Sequence, residues 1–152
     1  MHLAELNIAR PKYANDDPRF ADFMNNLERI NNIGASIPGF VWIHKDDSGH
    51  AMNMPTPWPD YAANLTVWET PEAFEHFVWN TVHKHFYNRK TEWFEAAENP
   101  HFVMWWVEEG HRPTLDEAKE RLDYLTEHGN SDHAFDWAHL PHVKLWQQQR
   151  CG

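Results

Sequence analysis

The chain has 152 residues, 41% of them hydrophobic, and thirteen cations against twenty-three carboxylates give a formal charge of −10. That length fits one domain with a substantial core. That charge excludes a nucleic-acid partner, whose phosphates need a basic stripe, and equally an anionic membrane surface.

The first strand is expected at "LAELNI" (3–8), followed by the loop "ARPKYANDD". Asp17 and Pro18 form a cap-and-proline start. Phe20, Phe23, Met24, Leu27, Ile30 and Ile33 then repeat at helical spacing, and the helix is expected to end between Gly34 and Pro38. "GFVWIH" (39–44) predicts the second strand, the three-proline stretch after it a loop, and "ANLTVWE" (63–69) the third strand. Thr70-Pro71 opens a second helix expected to run to about residue 90, and "HFVMWWV" (101–107) predicts the fourth strand. Thr114 to Glu117 is a capping box for a further helix that stops at Gly129.

The order β-α-β-β-α-β predicts an α+β, ferredoxin-like antiparallel sheet, with residues 1–137 as the domain, an added helix over 114–128 and a tail over 138–152. The fourth strand is apolar on both sides, Phe102, Met104 and Trp106 alternating with Val103, Trp105 and Val107. Both sheet faces therefore need cover. A second copy packed sheet against sheet supplies it; the C-terminal tail is the alternative.

Nine Trp, nine Phe and four Tyr call for a dense interface or a cavity for a flat ligand. Strand parity points to the second. Asn7 opposes Leu6 and Ile8. Phe40, Trp42 and His44 oppose Val41 and Ile43. Asn64, Thr66 and Trp68 oppose Leu65 and Val67. Aligned, these strands give one aliphatic face and one lined by Asn7, Trp42, Asn64 and Trp68, the composition of a small-molecule site. The structural reading of the same residues is asparagines paired within the chain and tryptophans in ordinary core.

Along the second helix Phe74, Phe77, Val78, Thr81, Val82 and His85 share a stripe that Trp79 widens, and His83 stands at its edge. Arg89, four residues after His85, is placed to hold a carboxylate of the chain or of a ligand. His83 and His85 are two apart and cannot chelate one metal from a helix, and no zinc spacing or phosphate loop occurs. The one cysteine, Cys151, allows no disulfide within the chain. No run of about 20 apolar residues offers a spanning helix. The N-terminus does not read as a signal peptide, so a cytoplasmic location is expected.

"LAELNIARPKY", "DPRFADFMNNLERIN", "PGFVW", "NLTVWETPEAFEHFVWNTVH", "RKTEWF", "MWWVEEGHRPTLDEAKERLDYLTEHG" and "AFDW" resemble, in order, the DUF3291 family of uncharacterised proteins. The resemblance implies the dimeric α/β-barrel fold, alongside antibiotic-biosynthesis monooxygenases, and no established activity. Cofactor-free quinone-forming relatives of that fold carry an Asn and a Trp on a strand, as Asn64 and Trp68 stand here. Haem-degrading relatives use a first-strand Asn and a helical His, which Asn7 and His83 match; their helical Trp falls instead near Phe77.

The resemblance implies a homodimeric, monooxygenase-like protein for a flat hydrophobic small molecule, with either no cofactor or haem. Asn7 and Asn64 would orient polar atoms, and Trp42, Trp68 and Trp79 would form walls. His83 would act as base or as haem axial ligand, and Arg89 would pair a carboxylate. A non-catalytic ligand-binding or structural dimer is the alternative.

Overall fold

The computed structural model describes residues 1–13, 16–44, 58, 61–80, 84, 88–95 and 101–140. The alternation of apolar and polar residues at 2–9 and 62–68 produces the two central strands, β1 (His2–Ala9) and β3 (Ala62–Trp68). β2 (Phe40–Ile43) and β4 (Phe102–Val107) flank them, giving an antiparallel sheet of order β2-β3-β1-β4. That is the expected ferredoxin-like α+β arrangement.

Asp17 accepts a hydrogen bond from the Arg19 amide and caps a 3-10 turn, Pro18–Phe20, that leads into α1 (Ala21–Ser36). α2 covers Pro71–Asn80, and the expected continuation of this helix toward residue 90 falls mostly outside the described residues. A short helix, α3 (Lys90–Trp93), follows. α4 (Leu115–His128) starts on Thr114, whose hydroxyl takes the Glu117 amide, and ends on Gly129 at φ 75°. Only half of the predicted capping box forms: the Glu117 carboxylate takes the Trp105 indole N–H at 2.8 Å and meets His111 at 2.7 Å.

The sheet separates two apolar layers. On one side α1 and α2 lay Ile30, Ile33, Phe74, Phe77 and Val78 over Leu3, Trp68 and Met104. On the other, Ala118, Leu122 and Leu125 of α4 cover the aliphatic side chains Ala4, Leu6, Leu65, Val67 and Val103. Both faces were expected to need cover, from a second copy of the chain or from the C-terminal tail. On the aliphatic face the added helix supplies cover from within the chain, because its apolar residues repeat at three- and four-residue intervals and fit the face.

β4 gains a neighbour at its outer edge, where Met104 and Phe135 exchange backbone hydrogen bonds of 2.7 and 3.0 Å. The strap from Gly129 to Leu140 thereby tucks buried Phe135 and Leu140 into the α2 layer. Gly39 joins α1 to β2 at φ 98°, a left-handed conformation that suits glycine. A Cβ there would stand 2.6 Å from Ala73 Cβ on α2, so this turn sets how closely α2 approaches the sheet edge.

Candidate functional site

Register brings the predicted amides together. Asn7 lies opposite Asn64, Glu5 opposite Thr66, and Leu3 opposite Trp68. Across β1 on the other side, Asn7 meets Phe102 and Glu5 meets Met104. Paired side chains on one sheet face stand roughly 5 Å apart at Cβ, within reach of one ligand. Asn7 and Asn64 are half-buried, while Glu5, Thr66 and Trp68 are buried deeper along the same face.

Glu5 is the residue that the sequence reading passed over. Its carboxyl is 1% exposed in the centre of the sheet. The Thr66 hydroxyl donates to Oε1 at 2.5 Å, and the Asn7 side-chain amide donates to Oε2 at 3.1 Å. The Trp68 indole N–H donates in turn to the Thr66 oxygen at 2.9 Å. Burial pushes the Glu5 carboxyl up to about 7, although the bonds from Thr66 and Asn7 pull it down. A buried carboxyl that changes protonation near neutral pH, beside two amides, can accept and return a proton. The available signal was parity: Glu5 is two residues before Asn7 in "LAELNI" and so shares its face.

The predicted aromatic walls divide. Trp68 belongs to this face but is packed into core, its ring stacked on Phe77 and set edge-on to Phe40. Trp79 is buried in the same layer on α2. Trp42 does not join them. The register slips by a bulge between Phe40 and Trp42, which turns Trp42 toward Val67 and the aliphatic cluster. A further aromatic wall stands beside Asn7, where Phe102 stacks with Phe74 and Trp137, and Phe74 with Trp137 at 5.3 Å and 7°.

Arg89 holds carboxylates of the chain itself. Its guanidinium pairs Glu92 at 2.7 Å and Asp22 of α1 at 3.1 Å, and it lies over the buried Trp93 ring. Hydrogen bonding to Glu92 first, then to Asp22, raises its pKa further. Its charge thus ties α3 to α1. His83 lies outside the described residues. Among the described residues there is no group of three His, Cys, Asp or Glu side chains able to hold a metal ion.

The family described as a domain of unknown function, DUF3291, matches residues 2–151. No curated protein matches the chain by sequence. Among solved structures, a point mutant of SnoaB, a cofactor-independent oxygenase from Streptomyces nogalater, is 16% identical. That match covers 76% of this chain and 98% of that one, with a TM-score of 0.50. A DABB family protein with a ferredoxin-like fold from Mesorhizobium loti is 16% identical over 72% of this chain and 100% of its own, with a TM-score of 0.45. Likeness at such identities concerns the fold.

Proposed function

We propose that this chain, which belongs to the DUF3291 family, is a monooxygenase-like protein that binds a flat hydrophobic molecule between the sheet and α2. In this reading Glu5 takes a proton from the bound molecule, and Asn7 and Asn64 hold the oxygen atom on which the negative charge settles. The carbanion reacts with dioxygen to form a C–O bond, and the peroxide takes up a proton. Loss of water then breaks the O–O bond. A methylene and dioxygen become a carbonyl and water, with dioxygen as the oxidant. The chain's contribution is positioning and proton transfer.

The observation that carries this reading is the buried Glu5 bonded to Asn7, on the face where Asn7 and Asn64 meet. In this reading Glu5 is the base, where the resemblance had offered His83 as base or axial ligand. Haem binding rests on His83, which lies outside the described residues. The rival, a non-catalytic dimer, draws on the packing of Trp68 against Phe77, which makes that indole core rather than wall.

A homodimer belongs to the proposal through the β2 edge of the sheet, since α4 occupies the aliphatic face. Among the described residues, Val41 on β2 is one of two large apolar side chains left exposed. No helix among the described residues is long and apolar enough to cross a membrane, and a cytoplasmic setting goes with this reading.

The test is oxygen uptake with a dihydroxynaphthalene, a flat phenol whose anion carries charge on carbon. Wild-type protein is expected to consume oxygen and accumulate quinone absorbance, and Glu5→Gln to lose at least 100-fold in rate, the order of a general base. Binding without oxygen uptake supports the non-catalytic reading. A Soret band in protein as purified replaces the cofactor-free one.

A further inference from the structure

Trp68 was expected to form a pocket wall, and Thr66 was given no role beyond sharing its face. Their bonding gives them another role. An indole N–H is only ever a donor, and Trp68 spends it on the Thr66 oxygen at 2.9 Å. That bond occupies a lone pair of the hydroxyl. Thr66 Oγ1 then stands 2.5 Å from Glu5 Oε1, a short O–H···O hydrogen bond. The hydroxyl proton is thus aimed at Glu5, and the chain Trp68 to Thr66 to Glu5 runs in one direction through a buried layer.

We propose that Trp68 and Thr66 are positioning residues for Glu5: the indole fixes the hydroxyl as a donor, and the hydroxyl holds one carboxylate oxygen. The other oxygen, bonded by Asn7, is thereby turned toward the Asn7–Asn64 end of the face, where a ligand would meet it. In a low-dielectric layer each bond of such a chain polarises the next, so the Trp68 N–H strengthens a bond it does not itself make.

The neighbours of Glu5 across the strands are Thr66 and Met104, and along β1 they are Leu3 and Asn7. α2 contributes Phe74, Phe77 and Val78 to the layer, and also bears the exposed Glu72, the buried Glu75 and the exposed His76. α1 bears Asp22, Glu28 and Arg29 in exposed positions, and the strap that brings Phe135 and Leu140 into the layer bears Asp132, His133, Asp136 and His139, none of them fully buried. The state of Glu5 is set by burial and by its two hydrogen bonds, with no charged neighbour among the causes.

This inference rests on Glu5 being the working carboxyl, but its test needs no substrate. The Glu5 carboxyl is titrated by infrared difference spectroscopy, with Glu5→Gln as the blank that assigns the band. Thr66→Val keeps the shape of the side chain and removes the donor, and is expected to raise the midpoint by about one to two pH units. Thr66→Ser restores it. Trp68→Phe raises it by less, and leaves it unmoved when Thr66 is already Val, because its effect passes through the hydroxyl. An unchanged midpoint in Thr66→Val overturns the proposal. So does a Trp68→Phe shift of equal size in the Thr66→Val background. If no variant or wild type consumes oxygen while these shifts appear, the positioning role stands and the monooxygenase-like reading falls.

Discussion

Glu5 is kept at a cost. Its folded-state value of about 7 lies above its ordinary 4.5, so the folded chain holds its proton more tightly than the unfolded chain does. Below about pH 4.5 both states are protonated and nothing is lost. As pH rises toward about 7 the unfolded state releases the proton first, and stability falls by about 3 kcal/mol before levelling off. The gap in urea-unfolding free energy between Glu5→Gln and wild type should therefore widen by about that amount, in favour of the variant, from pH 4 to pH 8. A gap that stays constant contradicts the burial account. A residue that lowers stability at working pH, where glutamine would not, is what a site traded against function looks like. In the sequence, Asn7 and Asn64 were legible by parity, and Glu5 was equally so in principle. A lone acid in a short strand is distinguished from a solvent-facing one only once that face is known to be covered.

At the scale of elements, caps and prolines marked the helices well. Asp17-Pro18, Thr70-Pro71 and Thr114 each open a helical segment within a residue or two of the expected position. Strand periodicity failed at β2, where the bulge between Phe40 and Trp42 reverses the parity that placed Trp42 with the asparagines. A bulge follows from the fit of neighbouring strands, which no local pattern records. The strap after α4 was likewise unreadable, since Phe135 pairs with Met104 across a distance of thirty-one residues in sequence. The turn at Gly39 carries the sharpest prediction at this scale. Gly39→Ala combines a left-handed backbone with a Cβ driven into Ala73, and should cost about 2 kcal/mol or more. Ala73→Gly in the same chain removes the clash and should recover part of the loss, the backbone penalty remaining. Denaturant midpoints of the three proteins check both steps.

For the whole molecule, the two layers differ in composition and in what covers them. The aliphatic layer under α4 is closed by the chain's own helix, and the layer under α2 carries the polar residues. A long α4 stripe of Leu115, Ala118, Leu122 and Leu125 could be read from the sequence, but not the face it would cover. With α4 on the aliphatic face, the proposed homodimer is assigned to the β2 edge. Sedimentation equilibrium should find a dimer in wild type and a monomer in Val41→Lys, and a dimer unaffected by that change would place the interface elsewhere. The proposed chemistry requires Glu5 to act as a base. The most direct measurement is the pH dependence of oxygen uptake with dihydroxynaphthalene in wild type and Glu5→Gln. The rate should rise through a midpoint near about 7 in wild type and stay near background at every pH in the variant. A variant that retains the wild-type rate and the wild-type midpoint contradicts it.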